Sequence, residues 1–204
     1  MYQLYSIPGS CSTGIHVLLN KLQLPVEIIK RDDVEHYAAL VPTNQVPALR
    51  DEQHLLTEGA AIVLHLLDKH GSEENSDTIE FNQWLMFNYA TLHPAYSKLF
   101  TISGVMPESD EKLVLLQTLA DRIAKLWEIV DQRLENRDSM YGDHLGILDY
   151  LLAIYVRWGN AFPAVNLPVG ENVLRLVSRV VELPEFSVAF EREGLAYSVP
   201  ANAV

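Results

Sequence analysis

The segment from Gln3 to Ile29 constrains the fold more than any other part of the chain. Gln3 to Ile7 is a short aromatic and apolar run closed by Pro8-Gly9, which reads as a strand followed by a turn. From Ser12 to Leu22 the apolar residues Ile15, Leu18, Leu19 and Leu22 recur at helical spacing. Pro25 stops that helix, and Val26 to Ile29 is rich in β-branched residues, a second strand. Strand, helix and strand joined by such short connections make a parallel βαβ unit, and with it an α/β domain.

The next elements extend that domain. Val34 to Leu40 has a weak helical pattern, and Pro47–Arg50 and His54–Thr57 are strand-like pieces around a polar turn at Asp51-Glu52-Gln53, a hairpin. Ala60 to His70 is helical, with Ile62, Val63, Leu66 and Leu67 on one face and Gly71 as its stop. Ser72 to Asp77 is polar and reads as a linker. Beyond it every periodic segment is helical: Ile79–Phe100, a long amphipathic stretch through Leu116, Ala120, Ile123, Trp127, Val130 and Leu134, the almost wholly apolar Ile147–Trp158, then Val173–Val181 and Pro184–Glu193. The expected organisation is an α/β domain over residues 1–71, a linker over 72–77 and an all-α domain over 78–204.

Composition narrows the chemistry. With 204 residues and a formal charge of −12, the chain is expected to avoid nucleic acid and anionic membranes as partners. No basic run with a following apolar stretch opens it, and no apolar run nears the roughly 18–20 residues that span a bilayer. Cys11 is the only cysteine, which excludes an internal disulfide and fits a reducing, cytoplasmic setting. The seven histidines show no ligand spacing with Cys11, so no metal is expected.

Three places carry residues suited to chemistry. Cys11 stands where the first helix begins, and the N–H groups and dipole there favour a thiolate. Ser10 and Ser12 beside it are hydroxyl candidates, either as ligand contacts or as a helix cap. Asn44-Gln45-Val46-Pro47-Ala48-Leu49 puts a proline at the start of a strand. A cis bond before Pro47 would turn the Val46 N–H and C=O outward, ready to pair with an extended peptide. Eleven residues on, Glu58 opens a helix, to cap it or to hold an ammonium group, and Gly59 lets a ligand approach the backbone.

These features in this order resemble the glutathione transferase family, with a thioredoxin-like N-terminal domain and an all-helical second domain, over essentially the whole chain. The most specific stretch is Gln45 to Ile62, QVPALRDEQHLLTEGAAI. The cysteine of Pro8-Gly9-Ser10-Cys11-Ser12 resembles the bacterial beta class, and Leu92-His93-Pro94-Ala95-Tyr96-Ser97-Lys98-Leu99-Phe100 looks like the segment by which that class brings a histidine to the glutathione sulfur. The resemblance implies glutathione as co-substrate, with Cys11 and His93 flanking its sulfur. Val46 would pair with its cysteinyl unit, between Gln45 and Pro47 of the same loop, with Ser10 and Ser12 beside the cysteine. Glu58 and Gly59 would hold the γ-glutamyl end.

The resemblance also implies a homodimer, a small hydrophobic electrophile as second substrate, and a detoxifying transferase. Glutathione-dependent thiol–disulfide reduction and a non-catalytic binding or regulatory role remain alternatives on the same fold. Four departures from the pattern stand out. Gly146 occupies an N-cap usually held by Ser or Thr, with Asp149 retained three residues on. The loop Arg31-Asp32-Asp33-Val34-Glu35-His36 is acidic where the beta class often has a lysine. Met86 stands where a partner-contributed asparagine is usual, with Asn88 two residues off and pointing elsewhere. Pro94 directly follows His93 and is expected to disturb its helix.

Overall fold

The computed structural model describes residues 1–71 and 79–204, so the expected linker over 72–77 lies outside the described residues. Its contacts divide the chain into two units, one made of Met1–Gln83 with Val181–Tyr197, the other of Trp84–Val180 with Ser198–Val204.

In the first unit a four-stranded mixed sheet has the order β2-β1-β3-β4. Strand β1 (Tyr2–Ser6) pairs in parallel with β2 (Val26–Lys30), as the short βαβ crossing requires, with Leu4 opposite Ile28. It pairs antiparallel with β3 (Ala48–Asp51), which forms the hairpin with β4 (His54–Thr57). β3 begins one residue later than the pattern suggests, because Pro47 has no N–H to give the ladder. Helix α1 (Cys11–Lys21) buries Ile15, Val17, Leu18 and Leu19. Of the weak pattern over Val34–Leu40 only a single helical turn forms, α2 (Tyr37–Leu40), entered through His36 at φ 58°; a 3-10 turn at Arg31–Asp33 precedes it. Helix α3 (Gly59–His70) buries Ile62, Val63, Leu66 and Leu67, and Gly71 ends it at φ 59°, a left-handed turn that glycine enters without a Cβ clash.

The expected single helix over Ile79–Phe100 is three pieces: α4 (Ile79–Met86), a π-helical stretch at Phe87–Leu92, and α5 (His93–Val105). The wider turn stands directly before Pro94, which has no N–H to return to a carbonyl four residues back and therefore sits in the first turn of α5. Helix α6 (Asp110–Arg133) is capped by Ser109, whose hydroxyl accepts the Lys112 N–H at 3.1 Å. Lys112 is 3% exposed, and its ammonium donates to the carbonyls of Ser103 (2.8 Å) and Met106 (3.0 Å), groups left open where α5 ends, as well as to Glu108 (2.6 Å). Helix α7 (Ile147–Trp158) is buried along almost its whole length, the central helix its composition predicts. Helix α8 (Glu171–Val180) is capped from outside: the Asp131 carboxylate of α6 accepts the N–H groups of Asn172 (2.8 Å) and Val173 (3.0 Å).

Helix α9 (Pro184–Arg192) belongs by its contacts to the first unit, where it packs on α1. Its buried Phe186 and Phe190 stack with ring centroids 4.5 Å apart. Burial of two such rings contributes roughly 3–6 kcal/mol. Among the described residues no helix is long and apolar enough to cross a membrane.

Candidate active site

The sheet registers bring the sequence-predicted residues of the first unit to one end of the sheet. Tyr5 lies opposite Ala48 and Ala48 opposite Thr57, so the C-terminal ends of β1 and β4 and the start of β3 coincide. The Pro8–Ser12 loop leaves β1 there, Val46-Pro47 enters β3 there, and Glu58-Gly59 leaves β4 there.

Within the loop, Gly9 turns the chain at φ 75°. Ser10 is the N-cap of α1, its hydroxyl accepting the Ser12 N–H at 3.2 Å. Ser12 is fully buried; its hydroxyl donates to the Ile7 carbonyl at 3.2 Å and lies 2.7 Å from the Ser10 hydroxyl. Cys11 is 4% exposed and its thiol donates to the Val46 carbonyl across 3.7 Å. Its burial works against the helix-terminus expectation of a thiolate. Burial pushes the Cys11 thiol up to about 12, and the N–H groups of Cys11 and Ser12, which pull the other way, are outweighed. As placed, Cys11 is a neutral hydrogen-bond donor to the Val46 carbonyl.

The Val46–Pro47 bond is cis, as the strand-opening proline suggests. Pro47 is buried, Val46 half-buried and Gln45 exposed. The Tyr37 hydroxyl holds this loop from behind by donating to the Gln45 carbonyl at 2.9 Å. Burial, with Tyr5 beside it, keeps the Tyr37 phenol above its ordinary range, so it stays a donor. Tyr5 itself is core, packed with Tyr37, Val41 and Ala48. Arg31 reaches the same loop, its guanidinium 3.5 Å from the Asn44 carbonyl, while Asp32 takes its other donors at 3.0 and 2.8 Å. The acidic loop thus carries a cation toward the Asn44–Pro47 segment, ion-paired with Asp32 beside it.

Glu58 is the most strained of these positions. Its backbone has φ 67° and ψ 110°, a region a side-chain-bearing residue enters only at a cost of about 1–3 kcal/mol. Its side chain is exposed and makes no capping hydrogen bond, so the capping role open to it in the sequence is not the one it fills. Gly59 is buried directly behind it as the first residue of α3.

His93 lies in the second unit. Its imidazole, half-buried, stands edge-on to Trp158 (5.3 Å) and Tyr155 (5.9 Å). Burial pulls its pKa below the usual histidine value, which favours the neutral ring. Asn88 points inward, fully buried, with its amide donating to the Trp84 carbonyl at 3.1 Å, while Met86 is 42% exposed. Among the described residues no group of His, Cys, Asp and Glu is placed to hold a metal ion.

Residues 4–74 match the family described as glutathione S-transferase, N-terminal domain. The chain is 30% identical over 210 residues to glutathione S-transferase GstA of Escherichia coli O157:H7, covering 95% of this chain and 99% of that one. The chain belongs to the glutathione S-transferase family. Two solved structures share the fold of this transferase-family chain. A bacterial beta class enzyme from Sphingomonas chungbukensis has 22% identity and a TM-score of 0.76, covering 95% of this chain and all of that one. A sphingomonad glutathione S-transferase complexed with glutathione has 24% identity and a TM-score of 0.75 over the same shares.

Beneath the cysteine loop of this family member lies a polar group that no local pattern in the sequence signals. The carboxylate of Glu193 accepts the Gly9 N–H (3.0 Å), the Thr13 hydroxyl (2.7 Å) and His16 Nδ1–H (3.0 Å). Its partners lie 177 to 184 positions away along the chain, beyond the reach of periodicity or motif. A charged residue just after an amphipathic helix reads as solvent-facing, and only the packing of α9 on α1 buries it.

Proposed function

We propose that the chain binds glutathione at the end of the sheet formed by the Pro8–Ser12 loop, Val46 and Glu58-Gly59, and conjugates it to small electrophiles. The observation that carries this reading is Glu58. A strained backbone and an exposed carboxylate without a cap, at the same sheet end as a buried thiol, mark a position kept for a ligand rather than for stability. In this reading the Glu58 carboxylate takes the ammonium of the γ-glutamyl end and the N-terminal amides of α3, from Gly59 on, take its carboxylate. The Val46 main chain, between Gln45 and Pro47, pairs with the cysteinyl unit. Ser10 and Ser12 shape the loop from which Cys11 donates S–H to the glutathione sulfur.

The chemistry follows from a neutral Cys11. A hydrogen-bond donor stabilises the glutathione thiolate over the thiol, whose proton leaves to solvent. The thiolate sulfur attacks the electrophilic carbon, a C–S bond forms, and the leaving group departs with the bonding pair. Cys11 itself forms no bond. A pKa pushed up to about 12 suits this better than disulfide exchange, which needs Cys11 as thiolate. His93 is proposed to take part as a neutral imidazole, and the assembly is proposed to be a homodimer.

Titration with glutathione, followed by assays of aryl-halide conjugation and disulfide reduction in wild type, Cys11→Ala and His93→Ala, tests the reading. Binding and conjugation by wild type, both weakened in Cys11→Ala, are expected. No binding at millimolar glutathione sinks it, and binding without turnover in any assay makes the chain a non-catalytic member of its family.

A further inference from the structure

The structure assigns a positioning role to Glu193: the carboxylate of a residue at the end of the last long helix fixes the loop that presents Ser10 and Cys11. This inference rests on the proposed glutathione site and extends it to the far end of the chain.

Glu193 is a charged residue 7% exposed, its side chain almost fully inside, among contacts wholly within the first unit. A buried carboxylate is costly unless its oxygens are occupied, and here both are. Oε1 faces His16 Nδ1, which donates because a carboxylate only accepts. Oε2 accepts the Thr13 hydroxyl and the Gly9 amide. Thr13 also lends its own oxygen to the Gly9 N–H at 3.0 Å, so Gly9 is held from two sides.

Gly9 is the residue that turns the chain from β1 toward the cysteine, at φ 75°, a conformation with no Cβ to limit its neighbours. Nothing intrinsic to glycine holds that turn. The Ser10 N–H returns to the Ile7 carbonyl at 3.1 Å, and the glycine amide is tethered by Thr13 and Glu193. Ser10 and Cys11 follow directly, so the direction of the Cys11 thiol toward Val46 depends on where Gly9 is anchored. Charge-assisted hydrogen bonds of this kind are shorter and stronger than neutral ones, which suits a fixed anchor.

The test compares wild type with Glu193→Gln, Thr13→Val and a control, Phe186→Leu, which weakens α9 packing and leaves the carboxylate in place. Three quantities are read well below the melting temperature: glutathione affinity by calorimetry, the rate of Cys11 alkylation by iodoacetamide, and Tm. Loosening of the anchor predicts that Glu193→Gln and Thr13→Val weaken glutathione binding and raise alkylation, each by about tenfold, the scale of one lost charged hydrogen bond. Phe186→Leu should lower Tm with both other readouts unchanged. If Glu193→Gln lowers Tm but leaves alkylation and affinity at wild-type values, or if Phe186→Leu moves them equally, Glu193 is a packing residue and the proposal fails. If wild type binds no glutathione, the proposed function fails by itself, and the alkylation rates still decide whether Glu193 positions the loop.

Discussion

The Cys11 thiol points at the Val46 carbonyl across 3.7 Å, joining the N-terminus of α1 to the loop before Pro47. That contact fixes the state of the sulfur. A carbonyl accepts a hydrogen bond and repels a thiolate, so the contact and the burial act in the same direction, toward the neutral form.

A pH series follows from this state. Burial raises Cys11 from an ordinary 9.0 to about 12, so the folded chain holds the thiol proton where the unfolded chain releases it. The thiol's contribution to stability is therefore flat below the unfolded value and falls as pH rises from there toward the folded one. The difference in unfolding free energy between wild type and Cys11→Ala should be constant through neutral pH and shrink in the alkaline range. Alkylation of native Cys11 should show no inflection near the ordinary thiol pKa. An inflection at or below that value would show a thiolate in the native chain.

Glu58→Gly separates stability from binding. Glycine enters φ 67° without strain, so the variant should be more stable by about 1 kcal/mol, read from denaturant midpoints. Glutathione affinity should fall by tenfold or more, about 1.4 kcal/mol, with loss of the carboxylate. Equal affinity in the two proteins would remove Glu58 from the site.

The cap of α7 offers a paired test. Asp149 accepts the N–H groups of Met140 and Gly146, each at 2.8 Å, while Gly146 has no hydroxyl to return the cap. Asp149→Ala should destabilise by roughly 2–4 kcal/mol, because both donors lose their buried acceptor. Gly146→Ser should stabilise by a few tenths of a kcal/mol up to about 1, since φ −146° and ψ −161° suit a serine cap. Urea unfolding of both variants checks the pair, and a neutral Asp149→Ala would refute it.

Lys112→Met should cost about 2 kcal/mol of stability, because the carbonyls of Ser103 and Met106 lose their ammonium donor inside the protein. Thermal unfolding reads this directly. Conjugation measured well below Tm should be unaffected, since Lys112 serves the end of α5 and no part of the proposed site.

The sequence by itself determined most of the elements and singled out the residues that the sheet registers then bring to one end. The parallel pair follows from the shortness of the crossing between Ile7 and Val26 and the hairpin from the polar turn at Asp51-Glu52-Gln53, while the proline that opens a strand permits the cis bond without fixing it. All of these are local: each depends on residues within a few turns of one another. Pro94 was legible as a break in helical regularity, though not as a π-helical stretch, because that outcome depends on what packs around the helix. Tertiary structure alone decided the ionisation of Cys11. The helix N-terminus favours a thiolate, and only burial by distant segments supplies the desolvation that outweighs it. It also decided the place of Glu193, a surface-like acid in sequence that α9 carries beneath the cysteine loop. Local hydrogen bonds and periodicity are written into neighbouring residues. Desolvation and long-range pairing exist only once the chain has closed on itself.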